Sequence, residues 1–137
     1  MKLNRIAASL LFGFGALALS AGELTPEVTA KFLKVIASTS GQGKIACNEA
    51  TVRAALTAQG VTVDTGSAVV WCTNAAEVRS QKQMGKLVVV GRRDLSAQAC
   101  ILIEEEDGRP RLMLNSGNIR ASRITLSDSL LKIGEKL

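Results

Sequence analysis

The chain contains no histidine and no tyrosine, and aromatic residues make up only 3% of its 137 residues. The lack of histidine excludes Ser-His-Asp and Cys-His nucleophile activation and histidine-based zinc catalysis. Paired carboxylates could still act as acid and base. The one acidic run, residues 104–107 (EEED), however, lies in a turn context and is interpreted as a solvated hairpin tip. No cofactor or metal motif is present, so the composition favours a protein without enzymatic activity.

Positive charge is spread along the chain rather than concentrated. The net charge is +5, and no basic block is interleaved with aromatic residues. Such a block is typical of a nucleic-acid-binding groove. We therefore expect no nucleic-acid partner.

Residues 1–22 have the three parts of a secretory signal peptide. Lys2 and Arg5 form a cationic start, residues 6–19 are uncharged, and small residues follow. The alternative is a membrane anchor, but the uncharged stretch is shorter than the roughly twenty residues that span a bilayer. We expect cleavage after Ser20 or Gly22, export, and no stable membrane insertion afterwards. The mature domain is then 23–137, and loss of the two basic residues reduces its net charge to +3.

Helix-like and strand-like patterns alternate along residues 23–137. Strand patterns fall at residues 44–47, 61–63, 68–72, 86–91, 99–105 and 109–115, and the last two are joined by the turn pair Asp107-Gly108. A helix pattern separates the first strand from the second and another separates the third from the fourth, while a turn at residues 64–66 (DTG) joins the second to the third. This order predicts a single α/β domain with a mostly parallel central sheet flanked by helices, a C-terminal antiparallel hairpin and a final helix.

Four helices have recognisable starts, and three of them have a clear apolar face. The first begins at Thr25-Pro26, runs to about residue 38, and has an apolar stripe at residues 28, 32, 35 and 36. A second helix, capped by Asn48, carries an apolar face at residues 52, 55 and 56. Asn74 and Glu77 form a capping box for the third. Thr125 opens the final helix, which is expected to bury Leu126, Leu130 and Leu131.

Three cysteines in an exported domain suggest one disulfide and one free thiol. Cys47 and Cys72 each end a predicted strand, and neighbouring parallel strands lie within the separation that a disulfide tolerates. We therefore predict a Cys47–Cys72 disulfide, which would make the domain sensitive to reduction. A Cys72–Cys100 pair and three reduced thiols are the alternatives.

Polar residues follow several of the predicted parallel strands. Asn48, Asn74, Arg92 and Arg93 come after the strands at residues 44–47, 68–72 and 86–91. Open α/β sheets bind ligands at the carboxyl ends of their strands, and paired arginines can hold an anion. These four residues are therefore candidate binding residues. The alternative for the arginines is that Asp94 caps the next turn and both face solvent.

Five segments resemble the YfiR/HmsC family of small periplasmic regulator proteins. They are residues 31–34 (KFLK), 44–48 (KIACN), 87–91 (LVVVG), 108–115 (GRPRLMLN) and 124–132 (ITLSDSLLK). Together they follow the family's opening helix, first strand, middle strand, glycine-marked hairpin and final helix with paired leucines. The resemblance extends over the whole mature chain.

The resemblance implies a non-enzymatic periplasmic regulator. Such a protein binds and represses the periplasmic sensor domain of an inner-membrane diguanylate cyclase, and so affects cyclic-di-GMP signalling and biofilm formation. A periplasmic small-ligand-binding protein is the alternative, and a homodimer is compatible with either. The exposed side of the first helix and the stretch with Arg120 and Arg123 are candidate partner surfaces, because loops and termini often carry function.

Overall fold

The computed structural model describes residues 23–137 and has one mixed sheet flanked by helices. The strands are β1 (Lys44–Cys47), β2 (Thr62–Val63), β3 (Val69–Cys72), β4 (Leu87–Val90), β5 (Ile101–Glu106), β6 (Arg109–Leu114) and β7 (Glu135–Lys136). The helices are α1 (Pro26–Thr39), α2 (Ala50–Ala58), α3 (Ala75–Gln83), a 3₁₀ helix (Arg93–Gln98), α4 (Ser116–Ser122) and α5 (Asp128–Ile133). The predicted signal peptide lies outside the described residues.

The seven strands follow the order β2-β1-β3-β4-β5-β6-β7. The first five are parallel to their neighbours, β5 and β6 form an antiparallel hairpin, and β7 pairs in parallel with β6. The predicted α/β class, the mostly parallel sheet and the hairpin are confirmed. Asp107 and Gly108 both have positive φ, as a tight two-residue hairpin turn requires.

The two faces of the sheet carry separate apolar cores. One face packs against α1, α2, α4 and α5 through residues such as Leu33, Leu56, Ile119 and Leu130. The other packs against α3 and the 3₁₀ helix through Val78 and Leu95. All four residues of β3 and of β4 are buried, which explains why both strands are continuous apolar runs in the sequence.

The buried side of α1 differs from the predicted stripe. Ala30, Leu33, Ile36 and Ala37 face the core, whereas Val35 is 42% exposed. Small alanine side chains allow the helix to approach its neighbours closely, and this packing determines the rotation of the helix. The predicted stripe (residues 28, 32, 35 and 36) and the buried stripe (residues 30, 33, 36 and 37) share Ile36, and the apolar pattern of the sequence does not distinguish between them.

Two further predictions are corrected at the C-terminal half. Glu104 is not part of a solvated tip, because it is only 2% exposed and pairs with Arg93. The final helix begins at Asp128 with Ser127 as its N-cap, and Leu131 is exposed while Leu126 and Leu130 are buried. Helix α4, whose N-cap is Asn115, was not predicted.

Candidate functional site

The strand order reverses at β1, which places a crevice at the carboxyl ends of the strands. After β1 the chain continues through α2 to β2, which pairs with one edge of β1. The next strand, β3, pairs with the opposite edge of β1. Ligands of doubly wound sheets bind at such a switch point. The residues that follow the strands here are Asn48 and Glu49 after β1, Thr73 after β3, and Gly91 and Arg92 after β4.

The crevice holds two small adjoining cavities, which we call the switch-point cleft. One has a volume of about 170 Å³, and its lining residues are Glu23, Glu49, Trp71, Cys72, Thr73, Gly91, Arg92 and Leu95. The other, of about 160 Å³, shares four of these residues and extends to the start of α1. Drug-sized ligands occupy pockets of roughly 300–1,000 Å³, so each cavity can take only a small group.

Trp71 and Glu49 form the wall common to both cavities. The indole Nε1 donates a hydrogen bond to Glu49 Oε1 at 2.8 Å, and Trp71 is only 5% exposed. A Cβ atom at Gly91 would lie 2.6 Å from Trp71 Cη2. The absent side chain at Gly91 therefore makes room for the indole ring across the end of β4.

The two candidate asparagines meet through Glu77. Asn74 Oδ1 accepts from the Glu77 amide at 2.8 Å, and Glu77 Oε1 accepts from the Thr73 amide at 2.9 Å. The predicted N-cap at Asn74 is confirmed, whereas the Glu77 side chain binds the amide of the preceding residue and not, as a capping box requires, that of Asn74. Asn48 Nδ2 donates to Glu77 Oε2 at 3.3 Å, while Glu49 occupies the N-cap position of α2 that was assigned to Asn48.

The two candidate arginines diverge, and each has its own carboxylate. Arg92 donates to both oxygens of Asp94, at 3.1 and 2.6 Å, and to the Thr73 carbonyl at 3.2 Å. The Arg92 hydrogen bonds lower the pKa of Asp94. Arg93 instead pairs with the buried Glu104. The arginines therefore form no joint anion site. Both are exposed to solvent, as the alternative interpretation expects, but each is paired, and the N-cap of the 3₁₀ helix is Arg92 and not Asp94.

The chain's own carboxylates occupy the positions where an anion would bind. Helix N-termini attract negative charge because their first amides lack partners and the helix dipole is positive there. Glu77 already accepts an amide at the start of α3, and Glu49 stands at the start of α2. A phosphate entering this edge would meet like charge, so the arrangement does not suit a nucleotide.

All three cysteines are buried free thiols, which does not support the predicted Cys47–Cys72 disulfide. Their strands are neighbours as expected, but Cys47 is paired with Trp71 in the register, one residue before Cys72. Successive side chains on a strand point to opposite faces. Cys47 therefore lies in one core and Cys72 in the other. For the alternative Cys72–Cys100 pair, β4 lies between the two strands.

Burial also makes these thiols poor nucleophiles. Desolvation raises the pKa of Cys72 to about 12, and it is the main cause of the raised pKa of Cys47 and of Cys100. The reactive species is the thiolate. At neutral pH all three cysteines are protonated, so neither thiol chemistry nor a rapid redox response is expected of them.

Residues 23–137 lack two kinds of feature. Among these residues, no group of three or more His, Cys, Asp or Glu side chains could hold a metal ion. Within the same range, no helix has both the length and the apolar character needed to cross a membrane.

Sequence reasoning did not identify Trp71 and Glu49 as site residues. The available signals were the single tryptophan of the chain at a strand end and a glutamate two residues beyond another strand end. Their contact depends on β1 and β3 being neighbours and on the space at Gly91. Comparisons of the chain with protein-family models and with curated proteins found no match.

Proposed function

We propose that this protein is an exported, non-enzymatic regulator. In this proposal it binds the periplasmic sensor domain of an inner-membrane signalling protein of the diguanylate cyclase type and represses it. Biofilm formation would then depend on the protein through cyclic-di-GMP. The proposal combines the signal-peptide pattern of residues 1–22, the resemblance to the YfiR/HmsC family and the character of the switch-point cleft.

The observation that supports this function best is the internal pairing of the polar groups at the carboxyl edge. Asn48 and Asn74 each form a hydrogen bond with Glu77, and Arg92 binds Asp94. Groups committed to neighbouring side chains are poor candidates for acid-base chemistry on a substrate. A protein of this kind acts through its surfaces.

Helix α1 offers one such surface. Lys31, Lys34 and Val35 are exposed on its outer side, while its inner side is buried in the core. Arg120 and Arg123, at the end of α4, are also exposed. Both regions are mildly basic and would complement an acidic patch on a partner domain, with association rates that fall as salt rises.

A periplasmic small-ligand-binding protein is the second candidate function. The location of the cleft at the switch point of the sheet favours it, because this is where such folds bind ligands. The small volume of each cavity limits the ligand to a compact one.

Deletion and complementation test the regulator. Deleting the gene should raise cellular cyclic-di-GMP, and the full sequence supplied in trans should restore it. Residues 23–137 alone should fail to restore it, because that form lacks the export signal. Unchanged cyclic-di-GMP after deletion, or full restoration by residues 23–137, would contradict the proposal.

A further inference from the structure

We propose that the switch-point cleft binds the head group of a small organic cation, a guanidinium or an alkylammonium. This ligand class goes beyond the proposed regulation and does not depend on it. It rests on the charges, the aromatic wall and the size of the cleft.

The charge balance at the cleft favours a cation. Glu23 and Glu49 line both cavities. Among the described residues, the side-chain hydrogen bond to the Glu49 carboxylate comes from Trp71 and reaches Oε1, which leaves Oε2 for a ligand. Hydrogen bonds between a carboxylate and a charged donor are about twice as strong as neutral ones.

Among residues 23–137, Arg92 supplies the cationic side chain that lines this cleft, and its charge is already compensated. Asp94 accepts two hydrogen bonds from its guanidinium. The Asp94 contacts are also the main reason that the pKa of Arg92 is raised, with a smaller contribution from Glu23. Arg92 therefore repels a cation only weakly. Its guanidinium N–H groups are already bound to Asp94 and Thr73, so they are not available for bidentate binding of an anion.

Trp71 supplies the second element of recognition. Its indole is fixed by Glu49 at one end and accommodated by Gly91 at the other, and it lines both cavities. Tryptophan is the aromatic residue that attracts cations most strongly to its ring face. A carboxylate beside an indole suits a planar guanidinium, which can donate hydrogen bonds to the carboxylate and stack on the indole ring.

The size of the cleft agrees with a head group. An engineered cavity of about 150 Å³ holds one benzene molecule, and the larger cavity here is about 170 Å³. A guanidinium with a short alkyl chain fits such a space. The source could be a free small molecule or an arginine side chain of a polypeptide, which present the same chemistry.

The single tryptophan of the chain reports directly on this cleft. We would titrate the purified protein with propylguanidinium and with N-acetyl-arginine methylamide, following Trp71 fluorescence and the heat of binding. Propylurea, which has similar size and no charge, is the matched ligand control. Saturable binding of either cation, at least tenfold tighter than propylurea, is the expected result, and the better of the two identifies the source.

Glu49→Gln and Asp107→Asn are the matched protein variants. The first removes the charge of Glu49 from the cleft, leaves Glu23 unchanged, and keeps an oxygen acceptor for Trp71 Nε1. The second removes the same charge at the hairpin turn, where asparagine tolerates the positive φ. We expect about a tenfold or greater loss of affinity in Glu49→Gln, because the cation loses a hydrogen bond to a charged acceptor, and no change in Asp107→Asn. No saturable binding by either readout, equal binding of propylurea, or undiminished binding in Glu49→Gln would overturn the proposal.

Discussion

Replacing Gly91 with alanine tests the packing that shapes the switch-point cleft. Gly91 is buried directly after β4 and does not have a positive φ, so its backbone accepts an alanine without strain. The added Cβ would lie 2.6 Å from Trp71 Cη2 and 3.2 Å from Cζ2. Carbon atoms prefer a separation of about 3.5–4.0 Å. The indole ring must therefore retreat by about 1 Å.

The cost of that movement has two parts. Overpacking a core costs about 1–3 kcal/mol. The shift also strains the 2.8 Å hydrogen bond from Trp71 to Glu49, and a hydrogen bond to a charged group contributes about 1.5–3 kcal/mol. Because the ring can relax partly into the adjoining cavity, we expect the free energy of unfolding to fall by about 2–3 kcal/mol.

Urea unfolding followed by circular dichroism and by Trp71 fluorescence measures this change. Gly66→Ala is the matched control, because its Cβ would make only an ordinary 3.5 Å contact with Asp64 Oδ1 and its φ is also not positive. We expect that variant to be neutral or more stable by up to about 1 kcal/mol, since alanine restricts the unfolded chain. Equal stability of the two variants, with unchanged indole fluorescence, would refute the proposed packing.

Three further changes probe other parts of the structure. Iodoacetamide should label none of the three thiols in the native protein and all three after unfolding. The reason is that burial raises the pKa of Cys72 to about 12 and also raises the pKa of Cys47 and of Cys100. Fast labelling of the native protein would contradict their burial. Hydrogen bonds from Arg111 are the main reason that the pKa of Glu135 is lowered. Ionised Glu135 therefore stabilises the fold at pH values above the pKa of an unfolded glutamate. This stabilisation is lost as the pH falls through the lower pKa of Glu135 in the folded protein. Urea titrations at neutral and acidic pH should therefore show less acid sensitivity in Arg111→Gln than in the parent, and equal sensitivity would argue against the pair. Asn74→Ala should lower the free energy of unfolding by about 1 kcal/mol, because it removes the cap that binds the Glu77 amide; no loss of stability would show that the cap contributes nothing.

Local chemistry in the sequence predicted much of the fold. Asp107-Gly108 specifies its turn through backbone conformation, and Asn74 with Glu77 specifies a helix start through hydrogen bonds only three residues apart. The apolar runs of β3 and β4 predicted a buried parallel sheet. In the turn and in the helix cap the interaction that forms the element is local, whereas the apolar runs indicate that the strands are buried and leave their neighbours unspecified.

The errors concern side chains whose environment is set by distant segments. Cys47 and Cys72 are on adjacent strands, but a one-residue offset in register places them on opposite faces. Glu104 is buried and pairs with Arg93, which lies eleven residues earlier in the chain. The contact of Trp71 with Glu49 likewise depends on strand order, which no local pattern contains.

The central claim is that this protein acts by binding a periplasmic sensor domain. Calorimetric titration of the purified protein with the purified periplasmic domains of the membrane diguanylate cyclases encoded in the same genome tests it most directly. We predict saturable binding to one of these domains, weakened by higher salt. Absence of binding to every such domain, by a protein that is folded by circular dichroism, would contradict the claim.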